Sequence, residues 1–323
     1  MTEEELESII LELCQAVRKA ARPHLGSTRA RELAGRGASG DITFGIDGVA
    51  ERVVEEFLEG QSEVASYTED RGLVKPRGAE HLLVIDPIDG TRPAAAGLEA
   101  CCVSVAAARL GGEPVESLKL GDVFMGAVQE IKNDAVFFAR RSRGAVIQVE
   151  GEQVQPVLSS TSELERIFWT LGFRGRPAEP LVTVLAELID ASSVDGGVFD
   201  LGSAAFCMTR LLTGEMDAYV DVGQRMVEEC APVREMFIQL GHGSILNNYP
   251  YDVAACALIA SECGASVTDA YGRPLDGYAL VPPAGGGQLS AVACANRRLH
   301  ARVMAALQRG MDRLTSRYHE GAL

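Results

Sequence analysis

Residues 84–91 read VIDPIDGT. The apolar run Leu82-Leu83-Val84-Ile85 leads into this stretch. Asp86 and Asp89 then stand three residues apart, with Gly90 and Thr91 directly after them. A short apolar run of this kind reads as a buried strand, so the strand ends on two negative charges. Asp, Pro and Gly are also ordinary turn residues, and taken alone the stretch could be a strand leaving its sheet. What decides is what the rest of the chain brings to the same place.

Four separated stretches each set carboxylates at the end of an element: GDITFGID (40–47), YTED (67–70), IDPIDGT (85–91) and YPYD (249–252). Glu69 and Asp70 follow a short strand, and Asp86 and Asp89 follow the apolar one. Asp252 opens a helix, where unpaired N–H groups stabilise an anion. Asp41 and Asp47 flank the start of another helix. Carboxylates crowded together without a counter-ion take up protons, and divalent cations remove that penalty. An all-oxygen donor set suits Mg²⁺. Two such ions ~3.5–4 Å apart can clamp the attacking and leaving oxygens of an in-line phosphoryl displacement. The D-x-x-D spacing lets both side chains converge at a turn. Gly90 frees the backbone to approach a phosphate, Thr91 offers a hydroxyl to orient water, and a helix starting just beyond would add N–H groups for the anion.

Composition narrows the alternatives. The chain has 323 residues, 47% of them hydrophobic, which is enough for one large domain or two moderate ones. A net charge of −15 without a run of Lys or Arg speaks against nucleic acid as a partner. The eight cysteines form no C-x-x-C pair and read as small buried hydrophobes in a reducing cytosol. The start, MTEEELESIILELCQAV, has neither a basic nor an apolar leader region, and no apolar stretch is long enough to span a bilayer. The expectation is a cytoplasmic protein that does not engage membranes. No G-x-G-x-x-G turn stands between strand and helix, which sets aside a dinucleotide-binding dehydrogenase.

Along the chain, Thr2 with Glu5 forms a capping box for a first helix with Leu6, Ile9, Ile10, Leu13 and Val17 at helical spacing. A second helix starts near Asp47. Strands follow at 62–66, through VIDPIDGT, and at 100–110, 121–131 and 134–141, with an Ala-rich, Gly-interrupted loop after Thr91. From Thr161 helices alternate with short strands: helices at 177–190, 202–217, 251–265 and 297–315, strands at 218–222 and 289–295, and a strand and turn at 266–272. This pattern predicts an α/β protein, with an α+β N-terminal half (1–158) carrying most of the carboxylates and an α/β C-terminal half (159–323) carrying Asp252.

VIDPIDGT resembles the D-P-[IL]-D-G-T signature of the inositol monophosphatase and fructose-1,6-bisphosphatase superfamily, Mg²⁺-dependent and in many members Li⁺-sensitive phosphatases. SGDITFGIDGVAERVVEEF (39–57) is similar to that superfamily's early Asp-bearing helix and TEDRG (68–72) to its Glu-Glu segment. GSAA (202–205) and GEMDAYVD (214–221) are similar to its substrate side, and PYDVAACALIASECGASVTDAYGRPL (250–275) to its C-terminal signature. The resemblance implies a layered αβαβα sandwich of the sugar-phosphatase type and a homodimer. It implies two or three Mg²⁺ ions held by Glu69, Asp86, Asp89, Asp252 and the Ile88 carbonyl, with Thr91, paired with Asp47, activating water. Asp89 and the amides of Gly90 and Thr91 would serve the phosphate. Gly202, Ser203 and Ala204 would contact substrate through their backbone, and Asp221 would accept a bond from a substrate hydroxyl. Asp41 and Asp70 take supporting or solvated positions.

The implied substrate is a small phosphorylated metabolite, inositol monophosphate-like or a sugar phosphate. Some features depart from the pattern. Arg92-Pro93-Ala94 stands where relatives run into Asn-Phe, and an Arg there resembles branches acting on histidinol phosphate or nucleotide 3′-phosphates. Phe199 or Asp200 stands where an Arg often precedes GSAA, and YPYD replaces Trp-Asp. The extra segment 223–248 reads either as a surface helix and loop or as a cap that reshapes the substrate pocket. A non-catalytic metal- or ligand-binding regulatory homologue is the alternative from another class, and the intact set Glu69, Asp86, Asp89, Thr91 and Asp252 argues against it.

Overall fold

Thr2 caps the first helix, α1 (Glu3–Ala21), as its sequence predicts: its hydroxyl accepts from the Glu5 amide at 3.2 Å while Glu5 accepts from the Thr2 amide at 2.8 Å. In this computed structural model, residues 1–37, 42–283 and 285–320 are described. Asp41 lies outside them. Further along run α2 (Gly45–Leu58), α3 (Thr91–Ala96), α4 (Ala178–Ala191), α5 (Ala204–Leu212), α6 (Gly223–Glu229), α7 (Ala231–Leu240), α8 (Pro250–Glu262) and α9 (Arg297–Glu320).

Among the described residues the strands form a large eight-stranded sheet from residues 64–154, a five-stranded sheet from residues 168–294 and a two-stranded pair, Leu33–Arg36 with Ile42–Phe44. The large sheet is antiparallel except where Val64–Thr68 runs parallel to His81–Asp89. Alternation along its central strands sorts side chains by face. Leu83, Ile85, Val103, Val105, Ala107 and Ala127 pack under α1 and α2. Leu82, Val84, Cys102, Ala106 and Val128 pack on the other side, with α5 and α8. Those two helices also meet Tyr219 and Ala293 of the small sheet. That sheet's opposite face, Trp169, Ala218, Val220, Val292 and Cys294, packs against α4 and α9. The order is helix, sheet, helix, sheet, helix: the αβαβα sandwich.

Local differences from the sequence reading have physical causes. The Ala-rich stretch after Thr91 is not a loop but the short helix α3, bracketed by Gly90 (φ +94°) and Gly97 (φ +77°), both left-handed. The helix expected over 202–217 is confined to Ala204–Leu212, because Ser203 caps its start and Thr213-Gly214 ends it. The segment 223–248 is more than surface. It holds α6 and α7, and Met226, Val227, Cys230, Val233 and Phe237 enter the core beside the small sheet. Seven cysteines are buried, Cys263 is half-buried, and all eight are free thiols.

Helix α8 lies directly on the large sheet at Gly126, where a Cβ would come within 3.0 Å of the Ala255 backbone. Ala255 is one turn from Asp252, so this contact sets the depth of that carboxylate. Gly126→Val should push α8 outward and destabilise the fold by on the order of 1–3 kcal/mol. Urea unfolding of the variant beside the parent protein measures this.

Candidate active site

The strand His81–Asp89 is buried along its whole length. In a regular strand, residues three apart point to opposite faces. Here the register slips: Asp86 lies opposite Ser104 and Asp89 opposite Cys102, so one extra residue is accommodated on the aspartate strand. Such a bulge turns the chain, and it puts Asp89 on the same side as Asp86, facing α5 and α8. Asp86 Oδ1 accepts from the Ile88 amide at 2.9 Å, which holds the bulge. Gly90 must be glycine. Its φ is left-handed, and a Cβ would collide with the Ala100 carbonyl and sit 2.9 Å from Ser203 Cβ.

Helices of the second half supply the rest. The start of α5 fixes Asp89: Ser203 Oγ and the Ala205 amide donate to Oδ2 at 2.7 and 2.6 Å, while Ser203 Oγ also accepts from the Phe206 amide. The start of α8 carries Asp252, whose carboxylate accepts from the Tyr249 amide at 2.5 Å. Ser104, the register partner of Asp86, donates to the Tyr251 carbonyl at 3.2 Å and ties that turn to the sheet. The rings of Tyr249 and Tyr251 stack at 5.3 Å where the sequence pattern of relatives has Trp-Asp.

As a result, Asp86, Asp89 and Asp252 each present an oxygen within 4.8 Å of the others. Burial pushes the proton affinity of all three up. Asp86 is raised well above its ordinary range, by burial first and then by Glu69, Asp89 and Asp252. Asp89 is raised to about 6, with burial outweighing its bonds to Ser203 and Ala205. Asp252 is raised to about 7, by burial and then by Asp89. Three buried acids aimed at one point, with oxygen donors only, form a donor set that fits Mg²⁺.

These groups open into a cleft of about 740 Å³. Glu69, Ile88, Gly90, Thr91, Gly202, Ser203 and Ala204 all line it. Thr91 Oγ1 donates to the Ile88 carbonyl at 3.2 Å. Asp47 sits in the first turn of α2 and accepts from the Phe44 amide at 2.8 Å. Asp70 accepts from Thr43 Oγ1 at 2.8 Å. Asp221 departs from its expected position. It is fully buried, pairs with Arg176 and accepts from the Gly223 amide at 2.8 Å, so it faces Arg176 rather than the cleft. Sequence reasoning did not single out Arg174 and Arg176, which line the cleft with Arg92 and Lys132. Their signal was two arginines among glycines (GFRGR, 172–176) just after a strand in an acidic chain. No histidine lines the cleft among the described residues.

A five-layer sandwich that gathers carboxylates from both halves at the end of a bulged strand defines a phosphatase of the sugar-phosphatase type. The chain belongs to the inositol monophosphatase family, whose profile matches residues 2–312, and it is a phosphoric monoester hydrolase of that family. It is 26% identical over 313 residues to the fructose-1,6-bisphosphatase/inositol-1-monophosphatase of Methanothermobacter thermautotrophicus, a match covering 94% of this chain and 96% of that one. It is 24% identical over 287 residues to the bifunctional NADP phosphatase/NAD kinase of Methanocaldococcus jannaschii, covering 83% of this chain but 45% of that one, so the chain spans less than half of that relative's length. The fold is similar to that of the extragenic suppressor protein suhB from Bartonella henselae, with a TM-score of 0.70 at 18% identity over 95% of this chain and 99% of that one.

Because Asp89 and Asp252 hold protons more tightly folded than unfolded, they favour the fold at low pH and lose that contribution as pH rises from about 4 to about 7. In chelator at about pH 8, Asp252→Asn should therefore melt higher than the parent, and the gap should narrow below about pH 7 and close only at about pH 4. Thermal melts across that range check the sign.

Proposed function

We propose that the protein catalyses Mg²⁺-dependent hydrolysis of a small phosphomonoester, inositol monophosphate-like or a sugar phosphate. The observation that carries this is the convergence of Asp86, Asp89 and Asp252 within 4.8 Å, buried at the floor of the cleft. These three, with Glu69 and the Ile88 carbonyl, would hold two or three Mg²⁺ ions. Bound there, such ions neutralise phosphoryl oxygens and make water more acidic.

The chain's own groups do the remainder. The amides of Gly90 and Thr91 donate to the phosphate, and Asp89, clamped by Ser203 and the Ala205 amide, keeps one oxygen turned to the site. The Thr91 hydroxyl, with Asp47, orients the attacking water. The backbone of Gly202, Ser203 and Ala204 borders the substrate. Hydrolysis breaks the phosphorus–oxygen bond to the alcohol and forms one to the water oxygen, and a water proton ends on the departing alcohol. Arg92 and Lys132 in the cleft favour a second reading, a substrate with a further anionic group such as a nucleotide 3′-phosphate.

On the same reading the enzyme is cytoplasmic, works as a homodimer and engages neither nucleic acid nor membrane. The free cysteines, the net charge of −15 and the absence, among the described residues, of a helix long and apolar enough to cross a membrane support this. The homodimer rests on family resemblance.

The test is phosphate release from a panel of inositol, sugar and nucleotide phosphates with and without Mg²⁺. Activity should require the cation. Folded Asp89→Asn and Asp252→Asn should each lose at least roughly a hundredfold, more than is typical for outer-shell partners. Near-parental activity in both variants, or no release from any substrate, would overturn the proposal in favour of a non-catalytic homologue.

A further inference from the structure

The loop Gly172-Phe173-Arg174-Gly175-Arg176 leaves the strand Phe168–Leu171 at the cleft wall. Its two arginines do different things. Arg176 turns inward and is only 5% exposed. It pairs with the fully buried Asp221, and it donates to the Leu246 carbonyl at 2.9 Å and to the carbonyl of Arg174 itself. Gly172 and Gly175 let the loop lie close. A Cβ at Gly172 would be 2.8 Å from the Asp221 carboxyl carbon, and one at left-handed Gly175 would be 2.7 Å from Leu246 Cβ. The loop is thus clasped by the small sheet through Asp221 and by the segment 223–248 through Leu246. A planar guanidinium with several fixed donors suits such a clasp.

Arg174 lies nearer the carboxylates. It lines the cleft with Glu69, Asp89 and Asp252, and it lines a small adjoining recess with Glu69, Asp252 and Tyr251. Among the described residues, Arg174 is the cation that shares both the cleft and the recess with Glu69 and Asp252. Arg92 and Lys132 line the same cleft, with Glu99 and Asp200 as further acids.

We propose that Arg174, positioned by Arg176, is a built-in counter-ion of the carboxylate cluster that sets how tightly the site holds a divalent cation. The inference rests on the reading that this cluster binds Mg²⁺. A fixed positive charge beside the acids competes with an incoming cation. It lets the buried acids coexist with fewer ions, and it weakens each ion's hold.

Calorimetric titration of the full chain with Mg²⁺ at about pH 8 tests this. Arg174→Gln should bind Mg²⁺ roughly tenfold tighter or more, whereas Arg174→Lys, which keeps the charge, should stay near the parent. Arg176→Lys should shift binding in the same direction as Arg174→Gln, because its single ammonium cannot hold all three partners. The double variant should bind no tighter than Arg174→Gln alone. Circular dichroism establishes that each variant is folded. Unchanged or weaker Mg²⁺ binding in folded Arg174→Gln overturns the inference and leaves the proposed function standing. An additive double variant overturns the part given to Arg176. A parent protein that binds no Mg²⁺ overturns both readings.

Discussion

Like charges buried together are the constraint around which this protein is organised. Three aspartates meet where burial raises the proton affinity of each, Asp89 and Asp252 raise that of Asp86 further, and Asp89 raises that of Asp252. Nothing in the core would choose this arrangement for stability. It persists because rigid elements hold each acid from a different direction. A bulged strand holds Asp86 and Asp89, a helix start with a serine cap grips Asp89, and a second helix seated on a glycine delivers Asp252. Each device is local and cheap. Together they over-determine a geometry that its own electrostatics oppose, as strain at functional sites generally requires.

The division of labour between the two halves follows from the same constraint. The large sheet contributes Asp86 and Asp89, yet both helices that complete the cluster come from the chain beyond residue 200. They are sandwiched between the sheets, so neither can shift without disturbing both cores. The segment 223–248 is part of this arrangement. Its helices fill the core beside the small sheet, Leu246 holds Arg176, and Asn248 reaches the cleft wall and donates to the Tyr219 hydroxyl at 2.9 Å.

Much of this was legible in the sequence. The continuous apolar runs at 82–85 and 100–110 marked the central strands, and the order of carboxylate-bearing stretches pointed to one meeting place. The hydrophobic period also located α1 and α2, because their buried faces repeat at helical spacing. What stayed hidden depended on contacts distant in the chain. No local pattern says that Asp221 will pair with Arg176, or that GFRGR will lay both its arginines along the cleft while one of them holds Asp221. Helix α3 was missed because alanines between glycines read as loop, when the glycines are in fact its left-handed boundaries.

The bulge at residues 86–89 makes chain length, and not only residue identity, a carrier of catalytic information. Insert a single further residue between the two aspartates, with the bulge kept, and strand parity would rotate the second one through the sheet, into the apolar layer under α1 and α2. A chain so lengthened could keep every acidic side chain of the family signature and still be unable to gather them, so a matching motif with one residue more between its acids should be read as a broken active site.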